Sequence, residues 1–295
     1  ATAANSVAQA ALFSHFLAII PPLPDSLWLL NLRLRKVQRT LKDIPPPMRT
    51  LFSKWRMILV ITLAAIITIC AALYGVWQLS RSRDFQLFGK IIPRIETTEK
   101  VIALTFDDGP TPAYTQPVLD LLRERQVTAT FFLMGVDVDA HPDETRAIIA
   151  AGHEIGNHTH THADMTLATE DSAADEITRA DNAIRQAGYT GDIHVRPPFS
   201  KKLIGLPLHL AKHDRATITW DIEPESWPEI ASDPAKIAAH VIEKARPGSI
   251  VNLHVMYASR EATRQALPAM IDGLRANGYR FVTVSELIAL GTTPQ

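Results

Sequence analysis

Three hydrophobic patterns follow one another along this 295-residue chain. The first is an uncharged run from Met57 to Leu79, MILVITLAAIITICAALYGVWQL. At ~1.5 Å per residue it is long enough to cross a hydrocarbon core of ~30 Å. A helix packed in a soluble core would keep a polar face, and none is visible here. One N-terminal transmembrane helix is therefore expected. The second pattern is a set of short apolar runs with the length of buried strands. They lie at 101–104, 129–134 and about 193–196, 216–220, 249–253 and 280–283. Between them runs the third pattern, apolar residues at helical spacing: Pro117–Arg125, with Val118, Leu121 and Leu122 on one face, Pro142–Ala151, and Asp171–Ala187 ending at Gly188. Further helices are expected at about 203–212, 234–245, 263–276 and 284–290. Regular strand–helix alternation predicts an α/β fold, a parallel sheet with helices outside it.

Charge divides the chain in the same place. Residues 1–94 hold 12 Lys/Arg and 3 Asp/Glu, whereas 95–295 hold 18 and 28. The acidic downstream part argues against nucleic acid as its ligand. Arg49, Lys54 and Arg56 flank the N-terminal side of the apolar run, with Arg33, Arg35, Lys36, Arg39 and Lys42 behind them. Only Arg81 and Arg83 closely follow it. That excess favours a cytoplasmic N-terminus, with Trp55, Tyr74 and Trp77 placed for interfacial anchoring. The expected organisation is a basic cytoplasmic segment (1–56), a signal-anchor helix (57–79), a linker (80–98) and one domain (99–291). The run is too long, and lacks the small-residue cleavage site, for a cleaved signal peptide. The domain would face the periplasm or exterior from a bacterial-type inner or plasma membrane. Leu27–Leu41 alternates apolar and basic residues, and either a membrane-surface segment or a disordered tail fits it. The single cysteine, Cys70, excludes an intramolecular disulfide.

Candidate chemistry begins where the strand at 101–104 gives way to a turn, Thr105-Phe106-Asp107-Asp108-Gly109-Pro110. Adjacent carboxylates repel unless a cation or a proton separates their roles. About fifty residues on, Gly156-Asn157-His158-Thr159-His160-Thr161-His162 carries three alternating histidines. His158 and His162 stand four apart, so a helical turn or a tight loop could aim both at one ion. Imidazole and carboxylate together suit a borderline divalent metal such as Zn²⁺, with Co²⁺ or Ni²⁺ also able to fit.

These stretches resemble the polysaccharide deacetylase family, the carbohydrate esterases with the NodB homology domain. TFDDGP matches its first motif without change, and His158-Thr159-His160-Thr161-His162 matches its second. The likeness runs from about Lys100 to about Leu290. It implies a distorted (β/α) barrel of about seven strands, with Asp108, His158 and His162 as metal ligands and Asp107 as catalytic base. Arg196-Pro197-Pro198-Phe199 fits the third motif, in which Arg196 would orient Asp107 and the Phe199 N–H would serve the oxyanion. Trp220-Asp221-Ile222-Glu223-Pro224-Glu225-Ser226-Trp227 occupies the fourth, usually Asp-x-x-Asp-Trp; Glu223 and Ser226 replace the two aspartates. Either Asp221 or Glu223 would orient the catalytic histidine, and Trp227 would wall a sugar site. His254, at the end of Ile250-Val251-Asn252-Leu253-His254, fits the fifth motif as the general acid. The implied reaction is metal-dependent removal of N-acetyl groups from an envelope glycan: a chitooligosaccharide, peptidoglycan or an exopolysaccharide. Two rivals stay open. One is an amidohydrolase using His158 and His160 as a His-x-His pair; the other is a degenerate domain that binds glycan without turnover.

Overall fold

The computed structural model describes residues 46–291; the stretch Leu27–Leu41 and the rest of 1–45 lie outside the described residues, as do 292–295. Two units divide at Ala72 and Leu73. Helix α1 (Pro46–Ser80), 35 residues without interruption, runs across that division. Within its Ser53–Ser80 part, an 18-residue stretch reaches a mean hydropathy of 2.6 and none of it is buried. Length and composition alone make it able to cross a membrane.

The second unit is α/β. Its elements run β1 (Ile91–Ile92), β2 (Val101–Asp107), α2 (Thr115–Glu124), β3 (Thr130–Leu133), α3 (Gly135–Ala140), α4 (Pro142–Ala150) and β4 (Glu154–Asn157). After these come α5 (Glu170–Gln186), α6 (Gly205–Lys212), β5 (Thr217–Ile218), α7 (Pro228–Ala231) and α8 (Pro234–Lys244). The chain closes with β6 (Ser249–His254), α9 (Glu261–Ala276), β7 (Arg280–Val282) and α10 (Val284–Gly291). Strand β2 is central. It pairs in parallel with β6 along its length, and on its other side with β7 at its start and β3 at its end. Strand β4 extends the sheet beyond β3.

Every residue of β2 is buried, as a strand covered on both faces requires. Its side chains alternate between two cores. Ile102, Leu104 and Phe106 join a cluster with Val118, Leu122, Val241, Leu267 and Met270. Val101 and Ala103 join another with Phe132, Ile218, Trp220, Ile250 and Leu287. Each such large apolar side chain contributes roughly 1.5–3 kcal/mol on burial.

The described strands form a five-stranded sheet and a separate two-stranded ladder of β1 with β5, all parallel. The strand expected at 193–196 is reduced to Val195, whose single bridges join Asn157 of β4 and Thr217 of β5. A further bridge, Ile222 to Val251, returns to β6. The ladder is thus interrupted where a regular barrel would be continuous. Residues 80–98, expected as a linker, contribute β1 and pack on the domain: the Ile95 N–H donates to the Gly248 carbonyl (3.0 Å) and Arg94 to the Pro247 carbonyl (2.8 Å). Gly248 is required there, because a Cβ would stand 1.8 Å from the Ile95 oxygen.

Candidate active site

The C-terminal ends of β2, β4 and β6 converge on one cleft of about 240 Å³. Asp107 and His254 close their strands directly opposite one another in the parallel register. Asp107 is buried, and its Oδ1 accepts a 2.6 Å bond from the Arg196 guanidinium. Arg196 is itself fully buried, donates to Thr105 Oγ1 (2.7 Å), Asn252 Oδ1 (3.3 Å) and the Thr219 carbonyl (3.2 Å), and lies 4.0 Å over the Phe132 ring. Burial alone would raise the Asp107 pKa. Burial is the largest single influence, but the Arg196 charge, His158, His254 and the Arg196 hydrogen bond together outweigh it and hold the carboxyl below its ordinary value.

Asp108 follows with a left-handed backbone (φ 76°), which is costly for a residue bearing a Cβ. Its Oδ1 is buried and has no hydrogen-bond partner. That oxygen lies 3.4 Å from His162 Nε2 and 3.7 Å from His158 Nε2. His158 Nδ1 is 2.8 Å from the Arg196 carbonyl, a pure acceptor, so Nδ1 carries a proton and Nε2 is the ring nitrogen left to face Asp108. Ligand atoms of Asp108, His158 and His162 all lie within 4.8 Å of one another. An orphaned carboxylate oxygen facing two imidazole nitrogens is a donor set that fits a divalent ion. The histidine segment after β4 is a loop, with left-handed turns at Thr159 (φ 67°) and His162 (φ 59°). His160 is buried elsewhere: its ring packs against Gly135, where a Cβ would fall 2.3 Å from Nδ1. The His158–His160 pair is therefore not brought to one point.

His254 is bonded to a different carboxylate from the two expected. Neither Asp221 nor Glu223 hydrogen-bonds to it. Instead, buried Glu225 takes a 2.5 Å bond from His254 Nδ1, a 3.3 Å bond from its backbone N–H, and a bond from Thr263 Oγ1. Burial would lower the His254 pKa, but the Glu225 bond and charge, with Asp107 and Asp108, push it up to about 9. His254 Nε2 faces the metal-type cluster, 4.0 Å from Asp108 Oδ2. Asp221 sits at the far end of β6, accepting from Ser249 Oγ (2.9 Å), the Ile250 N–H (2.9 Å) and Arg246 (3.2 Å). Glu223 lines the cleft, bonded to Arg83, Ser226 and Asn252.

Phe199 stands at the cleft rim in a left-handed conformation (φ 56°), its ring edge-on to His162 at 4.8 Å. Trp227 is half exposed and is not among the lining residues, whereas Trp220 is. Sequence reasoning missed Glu225, Trp220, Asn252, Arg260 and Arg83. The alternation Asp221, Glu223, Glu225 was the one visible signal, and it offered a third acid.

A family model described as polysaccharide deacetylase matches residues 94–206. The chain is 33% identical over 210 residues to a peptidoglycan-N-acetylglucosamine deacetylase of Bacillus cereus, covering 70% of this chain and 96% of that one. It is 34% identical over 198 residues to a chitooligosaccharide deacetylase of Bradyrhizobium sp., covering 63% and 90%. Among solved structures, BA3943 of Bacillus anthracis, a CE4 family pseudoenzyme, superposes with a TM-score of 0.61 at 25% identity, over 70% of each chain.

Proposed function

Because this chain belongs to the polysaccharide deacetylase family, we propose that residues 99–291 remove N-acetyl groups from an N-acetylated envelope glycan. The observation that carries this reading is the Asp108 oxygen, orphaned beside the Nε2 atoms of His158 and His162 and flanked by Asp107, whose carboxyl is held below its ordinary value, and by His254, whose imidazole is pushed up to about 9. A divalent ion of the Zn²⁺ class, held by Asp108, His158 and His162, would supply Lewis-acid polarisation of water and of the amide carbonyl. Asp107, kept ionised by Arg196, takes the proton as water attacks. The Phe199 N–H serves the oxyanion; one such donor is typically worth about 3 kcal/mol. His254, kept charged by Glu225, protonates the departing amine. Trp227, out on the rim, would meet only sugar units beyond the one that reacts.

Helix α1 is read as a single-pass anchor with its basic N-terminal flank in the cytoplasm, which puts the cleft on the periplasmic or outer side. The similarity to a pseudoenzyme keeps a non-catalytic, glycan-binding reading as the second possibility. Retention of Asp107, Asp108, His158, His162, Arg196 and His254 favours turnover. The test is acetate release by the full chain in detergent, with Zn²⁺ or Co²⁺, from chitin oligomers and peptidoglycan, against Asp108→Ala. Metal-dependent release that the variant loses is the expected result. Metal binding without release from any glycan would favour the binding module.

A further inference from the structure

The segment that leaves helix α1 does not swing free of the domain; it is hydrogen-bonded to the loops that stand behind the cleft. The Ser80 carbonyl accepts from the Lys202 N–H at 2.8 Å. The buried Lys202 ammonium donates to the Ser82 carbonyl at 2.5 Å and the Ser200 carbonyl at 3.0 Å. A buried lysine is costly unless its donors are used, and here they fix two adjacent strands of loop. Thr219 Oγ1 then donates to the Arg83 carbonyl at 2.7 Å.

These contacts aim the half-buried Arg83 side chain at the fourth-motif turn, where it bonds Glu223 Oε2 and reaches Ser226 Oγ at 3.4 Å. From there the bonds continue inward. Glu223 Oε1 accepts from Asn252 Nδ2 at 3.4 Å, Asn252 Oδ1 accepts from Arg196 at 3.3 Å, and Arg196 holds Asp107 at 2.6 Å. Two further routes run in parallel. Thr219 bonds the Arg83 carbonyl with its hydroxyl and Arg196 with its own carbonyl. The Arg83 and Arg196 guanidinium groups both lie on the Trp220 ring, at 4.8 and 5.3 Å from its centroid.

We propose that Arg83, held in place by the segment that follows helix α1, is a positioning residue that sets the Arg196–Asp107 pair through Glu223, Asn252 and Trp220. The inference rests on the reading of Asp107 as the base. Arg83 touches no reacting atom. It neutralises Glu223, which otherwise competes with Asp107 for the buried Arg196 guanidinium. Without it, Arg196 is drawn toward Glu223 and the base moves; displacement of a catalytic group by about 1 Å can cost up to ~10²-fold in rate.

The experiment compares Arg83→Ala, Arg83→Lys and Arg81→Ala in the full chain in lipid nanodiscs. Arg81 belongs to the same segment but lies over Trp77 at 4.6 Å, off the network, and controls for charge. Arg83→Ala is expected to lower kcat about tenfold with KM within about twofold, and added guanidinium or Arg83→Lys restores part of it. Arg81→Ala keeps wild-type kcat. In parallel, ¹⁵N-arginine spectra of the metal-free chain are expected to show the Arg196 side-chain signals shifted in Arg83→Ala and unmoved in Arg81→Ala. Equal kcat in the two alanine variants, or loss without rescue that tracks a fall in Tm, overturns the proposal. If the wild type turns over no glycan, the deacetylase reading fails. The arginine spectra then decide the positioning claim alone, and unshifted Arg196 signals sink it.

Discussion

Asp107 and His254 end adjacent strands in register, and each is held by one buried partner of opposite charge, yet the two pairs are built with reversed polarity. In the mechanism proposed above, the reactive group at Asp107 is the carboxylate and its support is Arg196; at His254 it is the imidazole and its support is Glu225. Both supports are nearly inaccessible, so the interactions act in a low effective dielectric and move the pKa values apart. Asp107 is driven below its ordinary range and His254 up to about 9. Around neutral pH one side accepts a proton and the other has one to give. Two groups that face one cluster thus differ in role because of what stands behind them.

Breaking the base side has the larger effect. Asp107→Asn removes the proton acceptor and leaves the Arg196 charge buried without its counter-ion. Acetate release is expected to fall by about 10²–10⁴-fold, with a lower Tm at neutral pH, both measurable on the purified chain. In the wild type the depressed Asp107 pKa gives a stabilisation that is present above 3.8 and lost as pH falls through the depressed value. The Asn variant lacks that acid-side slope in its melting temperature.

Breaking the acid side is gentler and sharper to read. In Glu225→Gln the imidazolium loses its charge partner but keeps a hydrogen-bonding neighbour. NMR titration of the metal-free protein is expected to show the His254 midpoint fall from about 9 toward 6.5. The raised wild-type value stabilises the fold fully below 6.5, and this contribution is lost as pH rises through about 9. Melting curves of the variant should therefore vary less across that window. A midpoint that stays near 9 would mean that Asp107 and Asp108, not Glu225, set it.

The base side was legible in the sequence and the acid side only half so, for a physical reason. TFDDGP is local: one strand end and one turn carry both aspartates, so the stretch can be read without the fold. Arg196 follows from its own short motif. His254 could be placed at a strand end, but its partner could not. Asp221, Glu223 and Glu225 alternate, and the turn that Pro224 opens determines which of them reaches β6. That turn's direction comes from tertiary packing, not from propensity. The strand expected at 193–196 shrank to Val195 for a similar reason: only single bridges are offered on either side. Arg83 was invisible, because its partner is 140 residues away.

Asp221 separates the two accounts of the acid side with the smallest effect. The residue sits beside Ser249, the first residue of β6, five steps of ~3.3 Å from His254. It accepts the Ile250 N–H, the Ser249 hydroxyl and Arg246, and burial first raises its pKa while those bonds oppose the rise. Asp221→Ala strips partners from a buried backbone donor, a loss of about 1–3 kcal/mol, or roughly 2–4 °C in Tm per kcal/mol. Nothing in these contacts reaches the cleft, so kcat of the folded fraction is expected to stay at the wild-type value. A fall in kcat with Tm unchanged would return the orienting role to Asp221 and make the Glu225–His254 bond a bystander. Lower stability at constant kcat would leave Glu225 as the carboxylate that keeps His254 charged, with Asp221 as the clasp that starts the strand carrying it.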